Sequence, residues 1–290
     1  MRFSVISKVL GLLLMLFSIT LAPPMLVAVW YDDGGQFCFI LAFVISIATG
    51  LLLWYPSHDI NQELRTRDGF LVTALFWTVL GLFGSLPFVF SHATELSFAD
   101  AAFESISGLT TTGATVIREL DDLPRSLLYY RQQLQWLGGI GIIVIAVAVL
   151  PMLGIGGMQL YRAETPGPVK DSKLTPRITE TAKALFLIYV GLTVACFLCY
   201  WMAGMSLFDA IGHAYSTVAI GGFSTHDDSI GFFNSSAIML VGMVFMVLSG
   251  INFALHFVAW RERTVLNYFK DPECKFYLAM IALGLSLIHI

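Results

Sequence analysis

The sequence predicts an all-α polytopic membrane protein in which two leading helices precede span–pore-helix–span repeats. Three observations predict it. Hydrophobic residues make up 57% of the 290 residues and charged residues only 12%, against about a quarter charged in soluble domains. Apolar runs recur at close to the ~20 residues that a roughly 30 Å hydrocarbon core requires. A short stretch, Ser97 to Gly113, recurs 109 residues later as Ser206 to Gly222.

The repeated stretch organises the rest. Ser97, Asp100, Ala101, Ser107 and Gly113 match Ser206, Asp209, Ala210, Ser216 and Gly222. Both copies open with Ser-x-x-Asp, a capping-box-like start at which hydroxyl and carboxylate satisfy free amide hydrogens. Both close on glycine, which tolerates the positive φ of a turn. The helix between these signals rises roughly 16 Å at 1.5 Å per residue, about half of a bilayer core. Such a segment enters a membrane and turns back. Two amphipathic helices lying at the interface would leave the shared flanking runs unexplained.

In chain order, Val9 to Val29 forms the first span after Arg2 and Lys8. It is long for a signal-peptide core and reads as a retained span. Pro23 and Pro24 are expected to kink its outer end. Asp32 to Gly35 is a turn, and Phe37 to Trp54 returns. Trp30, Tyr31, Trp54 and Tyr55 suit interfacial aromatic belts. These leading helices and a loop form a segment over 1–69. The first pore repeat, 70–153, comprises the span Phe70 to Phe90, the half-helix, a loop from Ala114 to Tyr130, and a span from Leu134 to Leu153. Gly138-Gly139-Ile140-Gly141 in that last span predicts close backbone approach by a neighbour. A cytoplasmic linker covers 154–183. The second repeat, 184–260, has spans Ala184 to Met202 and Ser236 to Trp260. Ser249, Gly250, Asn252 and His256 are polar exceptions within the latter, and such residues face the protein interior or a water path. Hydrogen-bonded structure is the favoured role for His256. Segment 261–290 holds a basic loop to Lys275 and the start of a third repeat that stops short of a crossing. The chain therefore reads as a fragment.

Orientation follows from basic residues. With the N-terminus in the cytoplasm, only Arg118, Arg125 and Arg131 of the 16 Lys and Arg lie outside, which fits the positive-inside rule. Both half-helices then dip from the outer face.

Several classes are excluded. A net charge of −4 suggests no nucleic-acid partner. The four cysteines suggest no disulfide framework, and Cys196-x-x-Cys199 has no second ligand pair. His92, His213 and His226 show no metal-ligand spacing. The spans lack a nucleophile–base pair or clustered acids, so no enzyme and no cofactor is expected. The two repeats share one topology, as copies about an axis along the membrane normal do. Parallel half-helices aim C-terminal ends, each carrying roughly half a negative charge, at a common axis. Carbonyls of the uncharged turns can then replace the water around a monovalent cation. The alternative is a secondary carrier for a small solute with a midplane site at the broken helices. Asp100 and Asp209 read as helix caps, and Glu104 as a buried hydrogen-bond acceptor bracing the turn. The other reading makes these three acids cation attractors at an outer vestibule.

Phe103 to Thr115 resembles the first pore segment of the TrkH proteins, in the Trk/Ktr/HKT superfamily of potassium transporters. Trp136 to Gly141, Gly157 to Glu164 and Gly250 to Phe257 also resemble that family. The resemblance implies two leading helices and four span–pore-helix–span units, a homodimer, and potassium uptake at the bacterial cytoplasmic (inner) membrane. It implies that Thr111, Thr112 and Gly113 belong to one quarter of a selectivity filter for K+, and Ile220, Gly221 and Gly222 to the next. The resemblance also implies that glycine rather than serine at the Gly113 position goes with potassium selectivity, as in related plant proteins. A gating loop and a filter-facing basic residue are implied in the third and fourth units, beyond this sequence. The implied partner is a cytosolic ring of nucleotide-binding regulatory subunits (TrkA type). The basic stretches Gly154 to Lys183 and Arg261 to Lys275 face the side to meet it, and membrane-lipid headgroups fit them equally.

Overall fold

The computed structural model describes residues 3–60, 66–144 and 178–288. Among these the secondary structure is helical throughout, with no strand. The helices are α1 (Phe3–Ile19), α2 (Ala22–Tyr31), α3 (Gln36–Trp54), α4 (Thr66–Gly84), α5 (Leu86–Phe90), α6 (Phe98–Leu109), α7 (Arg125–Val144), α8 (Ile178–Met202), α9 (Leu207–Val218), α10 (Ser236–Gly250), α11 (Phe253–Glu262), α12 (Leu266–Lys270) and α13 (Pro272–Ile288). Four stretches among the described residues are long and apolar enough to cross a membrane: Phe3–Tyr31, Gln36–Ser57, Leu71–Phe90 and Lys183–Met202. The pair α10 and α11 makes a fifth if counted together. The chain is a multi-pass membrane protein.

Two buried apolar clusters carry the packing. Leu14, Phe39, Phe88, Leu127, Tyr130 and Leu134 belong to the first. Tyr189, Cys196, Tyr200, Ala210, Ala214 and Phe245 belong to the second. The short helix α6 lies against α4 and α7, and α9 lies against α8, α10 and α7. Thus α7 touches both short helices.

Several elements differ from the sequence expectation. The first span breaks at Thr20 and Leu21, and Pro23 and Pro24 sit in the first turn of α2. A proline there gives up only an amide hydrogen that has no intrahelical partner. The stretch expected to be a loop up to Tyr130 is helical from Arg125 onward. Arg131, counted among the basic residues of the outer side, is fully buried within α7. The residues of the expected span beyond Val144, the linker to residue 177 and the Gly157 to Glu164 motif lie outside the described residues. The span expected over Ala184 to Met202 is present as Lys183–Met202 within α8. The close approach expected of the glycine run is present: a Cβ on Gly138 would overlap the Leu109 carbonyl at the end of α6.

The expected span Ser236 to Trp260 is bent by 92° between α10 and α11. The polar exceptions explain it. Asn252 Oδ1 accepts from Ala254 N at 3.0 Å and caps α11. Ile251 N turns to Leu248 O at 3.2 Å, and Val247 O, freed by the break, regains a donor from Tyr277 Oη at 3.3 Å, while His256 Nε2 adds a second donor to Leu248 O at 2.9 Å. A carbonyl only accepts, so the proton sits on Nε2, and Nδ1 accepts from Tyr268 Oη at 2.8 Å. His256 is therefore hydrogen-bonded structure. His256→Leu is expected to lower stability by about 1–2 kcal/mol, the worth of one or two buried hydrogen bonds. A thermal melt of the purified protein in detergent checks it, and an unchanged melt would count against the staple.

Candidate functional site

The two short helices are built alike bond by bond. Ser97 and Ser206 sit at N-cap positions with nearly the same backbone angles, φ −63°, ψ 159° and φ −60°, ψ 158°. Each hydroxyl accepts from the amide three residues on, at 3.2 Å (Asp100 N) and 3.1 Å (Asp209 N). Each donates its proton to that aspartate's Oδ2 at 2.7 Å. The serines are therefore the caps, and Asp100 and Asp209, expected to cap the helices themselves, hold the capping hydroxyls in place and, among the described residues, bond no free amide of the helix start.

The C-terminal ends match as well. Thr112 N donates to Ser107 O at 2.9 Å, and Gly221 N to Ser216 O at 2.8 Å. Thr111 N reaches Gly108 O at 3.0 Å, and Ile220 N reaches Thr217 O at 3.1 Å. The same residues leave the right-handed region: φ is +54° at both Thr111 and Ile220, +75° at Gly113 and +87° at Gly222. A β-branched residue at positive φ is strained, and strain of this kind collects at functional sites. Two turns of different side chains adopt it at equivalent positions.

The turns meet. A Cβ on Gly113 would overlap the carbonyl oxygen of Gly221, so glycine at Gly113 is required twice, by φ and by contact. Gly222, the equivalent position in the second turn, has open space on that side. Among the described residues, the carbonyl oxygens of Thr111, Thr112, Gly113, Ile220, Gly221 and Gly222 accept no hydrogen bond. The hydroxyls of Thr110 and Thr112 pair with each other at 2.8 Å. The six residues expected from the resemblance are therefore brought into two adjoining turns whose backbone oxygens accept no hydrogen bond among the described residues.

Behind the turns lies a buried polar frame. Glu104 Oε1 accepts from Arg131 Nε at 2.8 Å, and both side chains are fully buried. Glu104 also accepts from Thr115 Oγ1 at 3.0 Å and Val116 N at 3.1 Å. It is the bracing acceptor that its position suggested. In the second copy His213 replaces it, and His213 Nε2 bonds Ser224 Oγ at 3.0 Å where Glu104 bonds Thr115. Gln135 Oε1 accepts from Ser216 Oγ at 2.7 Å and Phe223 N at 3.1 Å.

Residues 35–289 match the TrkH family, described as cation transport proteins. The chain belongs to the TrkH family. It is 60% identical over 288 residues to the Trk system potassium uptake protein TrkH of Halomonas elongata, covering 99% of this chain and 60% of that protein. It is 55% identical over 280 residues to TrkH of Escherichia coli K12, covering 97% and 58%. The crystal structure of the potassium transporter TrkH from Vibrio parahaemolyticus superimposes with a TM-score of 0.85 at 50% identity, over 98% of this chain and 57% of that one. This TrkH-family chain spans about three fifths of the length of the curated relatives it matches.

Arg131, Gln132 and Gln135 were not singled out from sequence. The signal was present: Arg131-Gln132-Gln133-x-Gln135 directly precedes the apolar run from Trp136, and polar side chains in such a helix face inward. The loops above the turns are also tied in this TrkH-family chain. His226 Nδ1 donates to Asp121 Oδ1, and Leu120 N donates to Asp227 Oδ2 at 3.0 Å. The His226 bond, first among the causes, holds the Asp121 carboxyl below its ordinary range. A carboxyl depressed in the folded state contributes above its unfolded pKa of about 3.9, and the contribution fades as pH falls through the folded value. Hydrogen exchange of residues 119–122 and 226–228 is therefore expected, after correction for intrinsic rates, to rise as pH falls below about 4. An unchanged rate below pH 4 would contradict this.

Proposed function

We propose that this chain is part of the pore-forming subunit of a Trk-type potassium-uptake system in the bacterial inner membrane. The observation that carries the reading is the pair of adjoining, like-built turns whose six carbonyl oxygens are uncommitted. Helix C-terminal ends supply partial negative charge beside them, and uncharged hard oxygens suit dehydration of a monovalent cation. Potassium is the transported ion, in keeping with the names of the relatives. In this reading α6 and α9 are re-entrant pore helices, the N-terminus lies in the cytoplasm, and both helices dip from the outside. Thr111, Thr112 and Gly113 line one quarter of the filter, and Ile220, Gly221 and Gly222 the next.

Two turns make half a ring. Gly222 has open space on the side where Gly113 meets Gly221, which supports a further quarter docking there, supplied by additional sequence or another chain. The working assembly we propose is a homodimer with a cytosolic, nucleotide-binding regulatory subunit of the TrkA type. Its basic loop from Arg261 to Lys275 meets that subunit or lipid headgroups.

The test is expression of the complete protein in a bacterial strain lacking potassium uptake. Restored growth at low potassium supports the reading, and no restoration despite membrane insertion contradicts it. Single cysteines at Thr112 and Ile220 add a second discrimination. Labelling of both from outside supports a pore, and labelling from opposite sides supports a carrier.

A further inference from the structure

The strut between the two turns carries an inference that rests on the pore reading. Arg131 uses all three nitrogens of its guanidinium. Nε donates to Glu104 on α6 at 2.8 Å, Nη2 to Thr115 Oγ1 after the first turn at 3.0 Å, and Nη1 to Ser224 O after the second turn at 3.2 Å. Its flat face lies 4.4 Å from the ring centroid of Phe223, the residue after Gly222. One rigid, fully buried group therefore touches the frames of both turns.

The bracing is unequal between the copies. The first turn is closed by its own residues, with Ser107 Oγ donating to Ala114 O at 2.6 Å. The equivalent Ser216 donates instead to Gln135 on α7, and Phe223 O is approached by Gln132 Nε2 at 3.4 Å. The second turn is held from α7, the helix that leaves the first. At the equivalent positions on α10 stand Leu240, Val241 and Val244, which offer no hydrogen bonds. Among the described residues, the strut stands at the junction of the first two turns and is not repeated after the second.

We infer that Arg131 is a positioning residue for ion selectivity, whose guanidinium fixes the separation of the first turn from the second. A planar fork with five donors holds three acceptors at set angles, whereas an ammonium is a point charge on a flexible stem. Lysine at this position keeps the charge beside Glu104 and gives up the span to Thr115 and Ser224. Discrimination by uncharged carbonyls depends on their number and placement around the ion. Loss of the span therefore acts on selectivity, whereas a purely structural pair would act on stability alone.

The experiment reconstitutes the complete protein in liposomes and measures potassium and sodium fluxes for wild type, Arg131→Lys, Thr115→Val and Thr115→Ser. Arg131→Lys is expected to lower the potassium-to-sodium ratio about tenfold, the size of losing hydrogen bonds to a charged group. Thr115→Val removes a single hydroxyl and is expected to lower the ratio about threefold, and Thr115→Ser to restore it. Ratios within twofold of wild type for both Arg131→Lys and Thr115→Val overturn the inference, whatever their melting temperatures. If Arg131→Lys does not fold, the Thr115 pair decides by the same criterion. A wild type that moves neither ion overturns the pore reading and this inference with it. A selective wild type with unshifted variants overturns this inference alone.

Discussion

Gly113→Asp is expected to abolish potassium uptake by the complete protein while leaving it in the membrane. Three effects add at one atom. The backbone has φ +75°, and a side chain in that region costs about 1–3 kcal/mol, or roughly ten- to hundredfold in any equilibrium that needs it. The new Cβ collides with the Gly221 carbonyl, so one turn must move off the other. A carboxylate then stands among oxygens that the proposal assigns to the ion, and it binds a cation too tightly to release it or draws in divalent ions. Gly113→Ala keeps the first two effects without the charge and is expected to retain a residual rate. Growth on low potassium and ion flux in vesicles check both variants. Wild-type flux in Gly113→Asp would remove the turns from the ion path.

The second large effect is on stability. Arg131→Met is expected to destabilise the protein by about 3–5 kcal/mol, because it strands the Glu104 carboxylate in a site with no access to water. Glu104→Gln in the same background is expected to recover much of that loss. A neutral amide keeps an acceptor for Thr115 and Val116 and no longer needs a counter-charge. Thermal or denaturant unfolding in detergent gives the double-mutant cycle. Additive losses would show that the two side chains act separately.

Much of the site was legible in the sequence because its determinants are local. Ser-x-x-Asp starts, glycine ends and spanning runs on either side define α6 and α9 without reference to anything distant. The 109-residue offset then predicts that the two ends resemble each other, and they do, down to equivalent hydrogen bonds. What escaped was tertiary. Arg131 counted among the charges of the outer side because a basic residue at the border of an apolar run ordinarily points to water. Its partner Glu104 lies on another helix, 27 residues earlier, and no spacing rule links the two. The elbow at Ile251 and Asn252 was visible as a polar interruption, but its 92° bend depends on Tyr268 and Tyr277, which supply donors from α12 and α13. The substitution of His213 for Glu104 was hidden for a different reason. The residue types differ while the bond they make to Thr115 or Ser224 is kept, and identity-based matching of the repeats passes over it.

In the proposed pore, oxygens of the Thr111–Gly113 and Ile220–Gly222 turns take the place of a potassium ion's hydration shell. Diffraction from crystals of the complete protein soaked in thallium(I), an electron-dense stand-in for potassium, checks this at the atoms concerned. The expected result is an anomalous peak between the two turns, within coordination distance of their carbonyls, that excess potassium displaces and excess sodium does not. Ordered turns with no peak between them, and thallium bound elsewhere in the protein, would contradict it.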